Sequence, residues 1–210
     1  MELKSYYTVR EYGVDEYIEK RSRFICAATP VKTEQEAIDF INARRSQYWD
    51  ATHNVYAYSL REGNVRRYSD DSEPQGTAGI PTLDALLKSE ITDVCIVTTR
   101  YFGGILLGGG GLVRAYSHSA TVALKAAGTI KMMPVYDCSI TCDYHMYGKL
   151  NSMLASKGAM EIDAVFTDLV ELHFCISFED YGSLAAAVTD ASGGKCSVNI
   201  LLERYKEQDL

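Results

Sequence analysis

The sequence predicts an α+β protein of two domains. Three observations lead there. Strand and helix signals alternate through the first 133 residues, a strand-helix-strand-strand-helix-strand series follows, and Pro134 stands between them. The expected domains are residues 1–133 and 134–210, the second with the ferredoxin-like β-α-β-β-α-β order. Many unrelated functions share that order, so it says little about this one.

The elements follow in turn. "EYIEKRSRFICAATPV" contains a strand around Phe24 to Ala28. "TEQEAIDFINARRSQYW" sets Ala37, Ile38 and Ile41 at helical spacing, and Thr33 with Glu36 forms a capping-box pattern. "THNVYAYSL" reads as a strand, with His53, Val55 and Ala57 on one face and Asn54, Tyr56 and Tyr58 on the other. "EGNV" is a hairpin-like turn into "RRYSD". "SDDSEPQGTAGI" is a loop, and "PTLDALLKS" a short helix with Pro81 in its first turn. The unbroken apolar core of "DVCIVTTRYF" suits a strand buried on both faces. A glycine loop then leads to a helix over 112–128, stopped by Gly128, and "TIKMM" forms a short linker. Beyond Pro134, strands are expected at 135–143, 160–167, 169–178 and 197–204, and helices at 145–157 and 180–190.

Composition narrows the function classes. Hydrophobic content of 47% with 23% charged residues is that of a soluble globular protein. No apolar run reaches the roughly 20 residues of a membrane span. "MELKSYYTVREYG" has no apolar signal region, so a cytoplasmic protein without membrane partners is expected. Six cysteines lie mostly in apolar runs without a CxxC pair, which favours buried free thiols over disulfides or zinc. Residues 1–133 carry 16 Lys and Arg against 16 Asp and Glu; residues 134–210 carry 5 against 12, which accounts for the net charge of −7. Bulk electrostatic binding of nucleic acid needs a basic surface, so any such contact here is local.

"RYFGGILLGGGG", residues 100–111, holds six of the sixteen glycines within positions 103–111. Strand, glycine loop and helix is the order of phosphate-binding loops. The specific signatures are missing. Gly104-x4-Gly109 is followed by Gly110 and Gly111 rather than Lys and Ser or Thr, and Gly108-x-Gly110 is completed by Val113. What remains is a loop flanked by Arg100 and Arg114. Arg114, in the expected first turn of the helix, opposes the helix dipole unless an anion compensates. That anion is either an acid of "SDDSEP" or an external group.

"YSDDSEPQGTAGIP" crowds Asp70, Asp71 and Glu73 ahead of Gly76, Thr77 and Gly79. Such acids hold a cation or move protons, or they simply shape a solvated loop through Asx-turns. His53 is either catalytic or a hydrogen-bonded strand histidine. His118 shares a helical face with Arg114 and flanks the same site. No GxSxG or HExxH pattern occurs. Spacing assigns no catalytic residue, no metal and no cofactor.

Four stretches, "KRSRFICAA", "WDATHNVYAYSL", "DDSEPQGTAGIPTLDALL" and "VTTRYFGGILLGGGGLVRAYSHSA", together resemble the signature blocks of the IMPACT family, in its bacterial YigZ/YvyE branch. The resemblance is tight over 20–125. It implies an N-terminal domain of ribosomal-protein type, shared with certain small-molecule kinases, and a C-terminal domain similar to the last domain of elongation factor G. It further implies a role near ribosomes, RNA or translation factors. Eukaryotic relatives regulate translation through a stress kinase but carry a different accessory domain. The matching positions are Arg23, Phe24, His53 and Asn54; Asp70, Asp71, Glu73, Pro74, Gly76, Thr77, Gly79 and Pro81; and Arg100, Tyr101, Phe102, Gly103, Gly104, Gly108, Gly110, Gly111, Arg114 and Tyr116. Departures fall at Val55, Ser72 and Leu106.

The expectation is a translation-associated binding protein whose cleft, built from these positions, engages RNA or a ribosome-associated protein. Tyr101, Phe102 and Tyr116 offer stacking faces, with core packing the favoured role for Phe102. The alternative is a small-molecule phosphotransferase or hydrolase using the acidic and glycine loops. Oligomeric state is left open.

Overall fold

Residues 3–209 are described by a computed structural model, in which helices and strands alternate along the chain. The first stretch comprises β1 (Tyr6–Val9), β2 (Gly13–Glu19), β3 (Ser22–Pro30), α1 (Glu34–Gln47), β4 (His53–Leu60), β5 (Val65–Ser69), α2 (Gly79–Lys88), β6 (Val94–Tyr101) and α3 (Gly109–Ala127). Then come β7 (Thr129–Cys142), α4 (Tyr144–Ser156), β8 (Met160–Phe166), β9 (Val170–Ser177), α5 (Phe178–Ser192) and β10 (Asn199–Asp209). Residues 6–131 and 132–208 form two compact α+β units.

In the N-terminal unit an antiparallel sheet runs β2-β3-β6-β4-β5. Thr33 opens α1 with a complete capping box, its hydroxyl accepting from the Glu36 amide. The stripe that α1 buries is Ala37, Ile41 and Arg44; Ile38, one residue and about 100° on from Ala37, faces solvent. β6 is central and covered twice. Val94 and Ile96 join the core beneath α2 and α3, while Cys95 and Val97 join the smaller cluster with Ala37 and Ile41 of α1. This double covering is why its apolar run is unbroken.

Three sequence expectations change. The strands β1 and β2 were not foreseen; β2 is an edge strand, exposed almost throughout, with little alternation to mark it. The helix α3 starts at Gly109, not at residue 112, so Gly109, Gly110 and Gly111 form its first turn. The linker at Pro134 is also absent, because β7 continues through it from Thr129 to Cys142. Pairing of β7 with β9 begins only at Val135, so the amide that proline lacks is not needed by that ladder.

The C-terminal unit has the expected β-α-β-β-α-β order, with its strands arranged β10-β7-β9-β8. Asp143 and Ser177 cap α4 and α5, and Gly193 ends α5 in the left-handed conformation. One sheet face, with Ile140, Leu172 and Ile176, packs on Leu150 and Leu154 of α4 and Leu184 and Val188 of α5. Asp137, Glu161, Arg204 and Lys206 form a charged network elsewhere on these strands. All six cysteines are free and buried. No helix among the described residues is long and apolar enough to cross a membrane.

Candidate ligand-binding cleft

The site begins with strand register. Phe24 on β3 and His53 on β4 both lie directly opposite Arg100 on β6. Strand alternation sends Arg100 to the same face as Val94 and Ile96, beneath α3. Phe24 is fully buried there, and the Arg100 guanidinium lies 5.5 Å from its ring centre.

A buried arginine needs a buried partner. Glu73 supplies it from the acidic loop: Arg100 Nη1 donates to Glu73 Oε1 at 2.5 Å, with both side chains almost wholly buried. The same oxygen accepts from the Tyr116 hydroxyl at 2.8 Å, and His53 Nε2 stands 3.6 Å away. His53 Nδ1 is 2.8 Å from the Asp71 carbonyl, so Nδ1 carries the proton and Nε2 faces Glu73. Arg100 Nη2 donates to Ser22 Oγ, and the Gly103 amide donates to that same hydroxyl. Burial, and then the neighbouring Glu73, pushes the Tyr116 phenol far above its ordinary pKa, so it stays a donor.

The other two acids turn away. Asp70 accepts from the amides of Gly76, Ala78 and Gly79, closing the loop and the start of α2, whose N-cap Ala78 has no side chain to do so. Asp71 holds Arg45 at 2.9 Å and the Asn54 amide at 2.6 Å. The three carboxylates therefore do not converge, which removes the loop as a cation site or a carboxylate pair. Thr77 is occupied with the Pro74 carbonyl.

Above this cluster opens a cavity of about 360 Å³, with His53, Glu73 and Arg100 at its polar end. Phe102, Leu106, Leu107, Leu112 and the backbone of Gly108 and Gly109 supply the apolar remainder. Leu106 is 82% exposed and Phe102 45%. The aromatic roles are thus the reverse of those expected: Tyr116 is buried and bonded, while Phe102 presents its ring to solvent. Tyr101 is part-exposed, with its hydroxyl on Asp50.

The glycines do different jobs. A Cβ at Gly103 would run into the Arg21 backbone, and one at Gly79 into Ser69, so packing demands both. Gly76, Gly104 and Gly108 hold left-handed φ values of 77°, 82° and 75°. Gly109 and Gly110 are helical, and a Cβ at either meets nothing closer than 3.7 Å.

Of the positions singled out in the sequence, His53, Glu73, Arg100, Gly108 and Tyr116 come together with Phe102. Asn54 lies on the opposite face, bonded to Thr99 and Tyr48. Arg23 is exposed and paired with Glu16, outside the cavity. Arg114 sits in the second turn of α3, not the first, and lines a separate cavity with His118, Gly111 and Lys20. Ser22 and Lys20 went unnoticed. Ser22 is a lone hydroxyl at a strand start, and the turn holding Lys20 has no Asn or Gly to mark it.

Fold and site define a two-unit α+β chain whose N-terminal unit has a cavity between an antiparallel sheet and a helix opened by glycines. Residues 20–124 match the Impact N-terminal domain, and residues 140–195 match the domain of unknown function DUF1949. The IMPACT family member YvyE of Bacillus subtilis is 37% identical over 93% of this chain and 91% of its own length. The IMPACT family member YigZ of Escherichia coli is 31% identical over 83% and 87%. A crystal structure of a hypothetical protein superposes with a TM-score of 0.59 at 28% identity, covering 96% of this chain and 100% of that one. The chain belongs to the IMPACT family.

Proposed function

We propose that this chain is a translation-associated binding protein whose N-terminal cleft engages RNA on the ribosome. The observation that carries the reading is Gly109 with Gly110. Both are helical, neither is required by local packing, and each costs about 0.5–1 kcal/mol relative to alanine. A ligand that approaches the backbone closely accounts for bare positions there. Uncapped amides at the start of α3 suit phosphate, and the exposed Phe102 ring suits an unstacked base. The acids nearby do not oppose such a ligand, since each is neutralised or bonded within the fold. The family resemblance implies domains similar to a ribosomal protein and to the last domain of elongation factor G, and that implication is the reason for proposing the ribosome as the place of action.

The test is co-sedimentation of the purified protein with ribosomes at low and high salt, beside a Phe102→Ala/Gly109→Val variant. Salt-sensitive binding lost in the variant is expected. Binding that the variant retains moves the interface elsewhere, and no binding at any salt removes the ribosome.

One observation favours an enzyme instead: His53 Nε2 faces the cavity end with its tautomer set by the Asp71 carbonyl. Its neighbour Glu73 is tied to Arg100 and Tyr116, so that carboxylate is not free to act as a base beside it. A phosphotransferase would show a thermal shift with ATP and Mg²⁺, because ligand at about 100 times its Kd stabilises by about 2.7 kcal/mol.

A further inference from the structure

The acids that were to compensate Arg114 are committed elsewhere, Asp70 to the amides before α2, Asp71 to Arg45 and Glu73 to Arg100. Among the described residues no ion pair or hydrogen bond engages Arg114, nor does one engage Lys20. Helical side chains lean toward the N-terminus, and Arg114 does so: a side chain at Gly110 would come within 3.7 Å of its Nη1. The guanidinium therefore lies beside the first turn of α3, where no side chain caps the amides. Lys20 reaches the same place from the β2–β3 turn, where Lys20 and Arg21 adopt φ of 45° and 66°.

Lys20, Arg114 and His118 line one cavity of about 200 Å³, whose only acid is Glu19. The His118 ring is steadied edge-on against Tyr17, centroids 4.7 Å apart. A cavity of that size brings groups on its walls within reach of a single small anion. Lys20 and Arg114, both exposed, line it together with Gly111 of the first turn of α3, and among the described residues neither cation is ion-paired.

We propose that Lys20, Arg114 and His118 form a phosphate-group subsite beside the cleft. Leu107 lines both cavities, so the two adjoin. The assignment rests on the RNA-binding reading above for its source of phosphate: a backbone phosphate sits on Lys20 and Arg114 while the neighbouring base lies on the Phe102 side. A free phosphate ion is the other source of the same chemistry.

The experiment measures binding of a short oligouridylate by fluorescence anisotropy, and of inorganic phosphate by calorimetry, to the full chain. Arg114→Gln, Lys20→Gln, Phe102→Ala and Arg66→Gln are compared; Arg66 is an exposed arginine outside both cavities. Arg114→Gln and Lys20→Gln should each weaken oligouridylate by roughly tenfold or more and flatten its salt dependence by about one phosphate contact. Arg66→Gln should change neither, and phosphate should compete with oligouridylate on the wild type. If oligouridylate binding falls in Phe102→Ala but not in Arg114→Gln or Lys20→Gln, the subsite is wrong while the RNA reading stands. If the wild type binds no oligouridylate, the RNA reading fails and phosphate decides: binding lost in Arg114→Gln supports a free-phosphate site, and no binding overturns the subsite.

Discussion

Glu73 is a carboxylate held by donors from β6 and α3, and its replacement tests how much the cluster depends on it. Glu73→Ala strands the Arg100 guanidinium in the interior and should destabilise the chain by about 3–5 kcal/mol in urea unfolding. Tyr116→Phe removes one bond to the same carboxylate and should cost about 1.5–3 kcal/mol. Tyr116 also has a pH signature. Its folded pKa is raised by burial and then by Glu73, so the native state keeps a proton that the unfolded state releases near pH 10. Stability from this group is complete below about pH 10 and declines above it. The Tyr116→Phe protein should lose less stability than wild type between about pH 10 and 11.5 in urea titrations. A pH dependence unchanged by the substitution would remove Tyr116 from the account. The sequence showed Tyr116 and Phe102 as aromatics near arginines; strand register and helix phase decide which ring is buried, and neither is readable from spacing alone.

Among the elements, the start of α3 invites a paired comparison. Gly103→Ala meets the Arg21 backbone and should destabilise by more than 1 kcal/mol; Gly109→Ala has open space and should stabilise by about 0.5–1 kcal/mol. Equal effects in thermal unfolding would contradict the division between packing glycines and access glycines. In the C-terminal unit, Glu161 on β8 meets Lys206 and Arg204 of β10, which hold its pKa down at about 2. A lowered folded pKa gives stability that is present above the usual carboxylate value near 4.3 and lost as pH falls toward 2. Glu161→Gln should therefore blunt the acid limb between about pH 4 and 2, with little effect at neutral pH beyond the lost pairs. Element legibility followed local signals. The capping box at Thr33 and Glu36, the Gly128 stop and the apolar run of β6 were plain. The strand β2 was hidden because one face of it packs on nothing and its turn to β3 uses Lys20 and Arg21 in left-handed conformations that those residues rarely adopt. The start of α3 was misplaced because glycine is a poor helix former, and only the fold shows that the helix nevertheless begins there.

For the molecule as a whole, charge sets the regime in which the proposed binding is to be tested. The residues before Pro134 are balanced, and the −7 lies entirely beyond it. If the proposed RNA binding holds, contacts with the polyanion should be few and local, and affinity should fall with salt by a slope of only two or three phosphates, far short of a basic RNA-binding surface. A steep slope in ribosome titrations would point to a basic partner protein or a larger interface. The two-unit plan was legible because the order of signals changed near residue 130. The continuity of β7 through Pro134 was not, since proline reads as a break wherever its missing amide is not known to be unneeded.

The placement of β6 has a temporal consequence. It has neighbours on both edges and helices over both faces, so its amides should be the last of the N-terminal unit to exchange with deuterated solvent. Arg100 is anchored to that persistent strand, whereas Phe102, Ile105 and Leu106 follow it in a loop with no ladder of its own. Exchange at the loop amides of Ile105 and Leu106 is therefore expected well before exchange at Arg100, so that the exposed part of the rim opens on a shorter timescale than the polar floor.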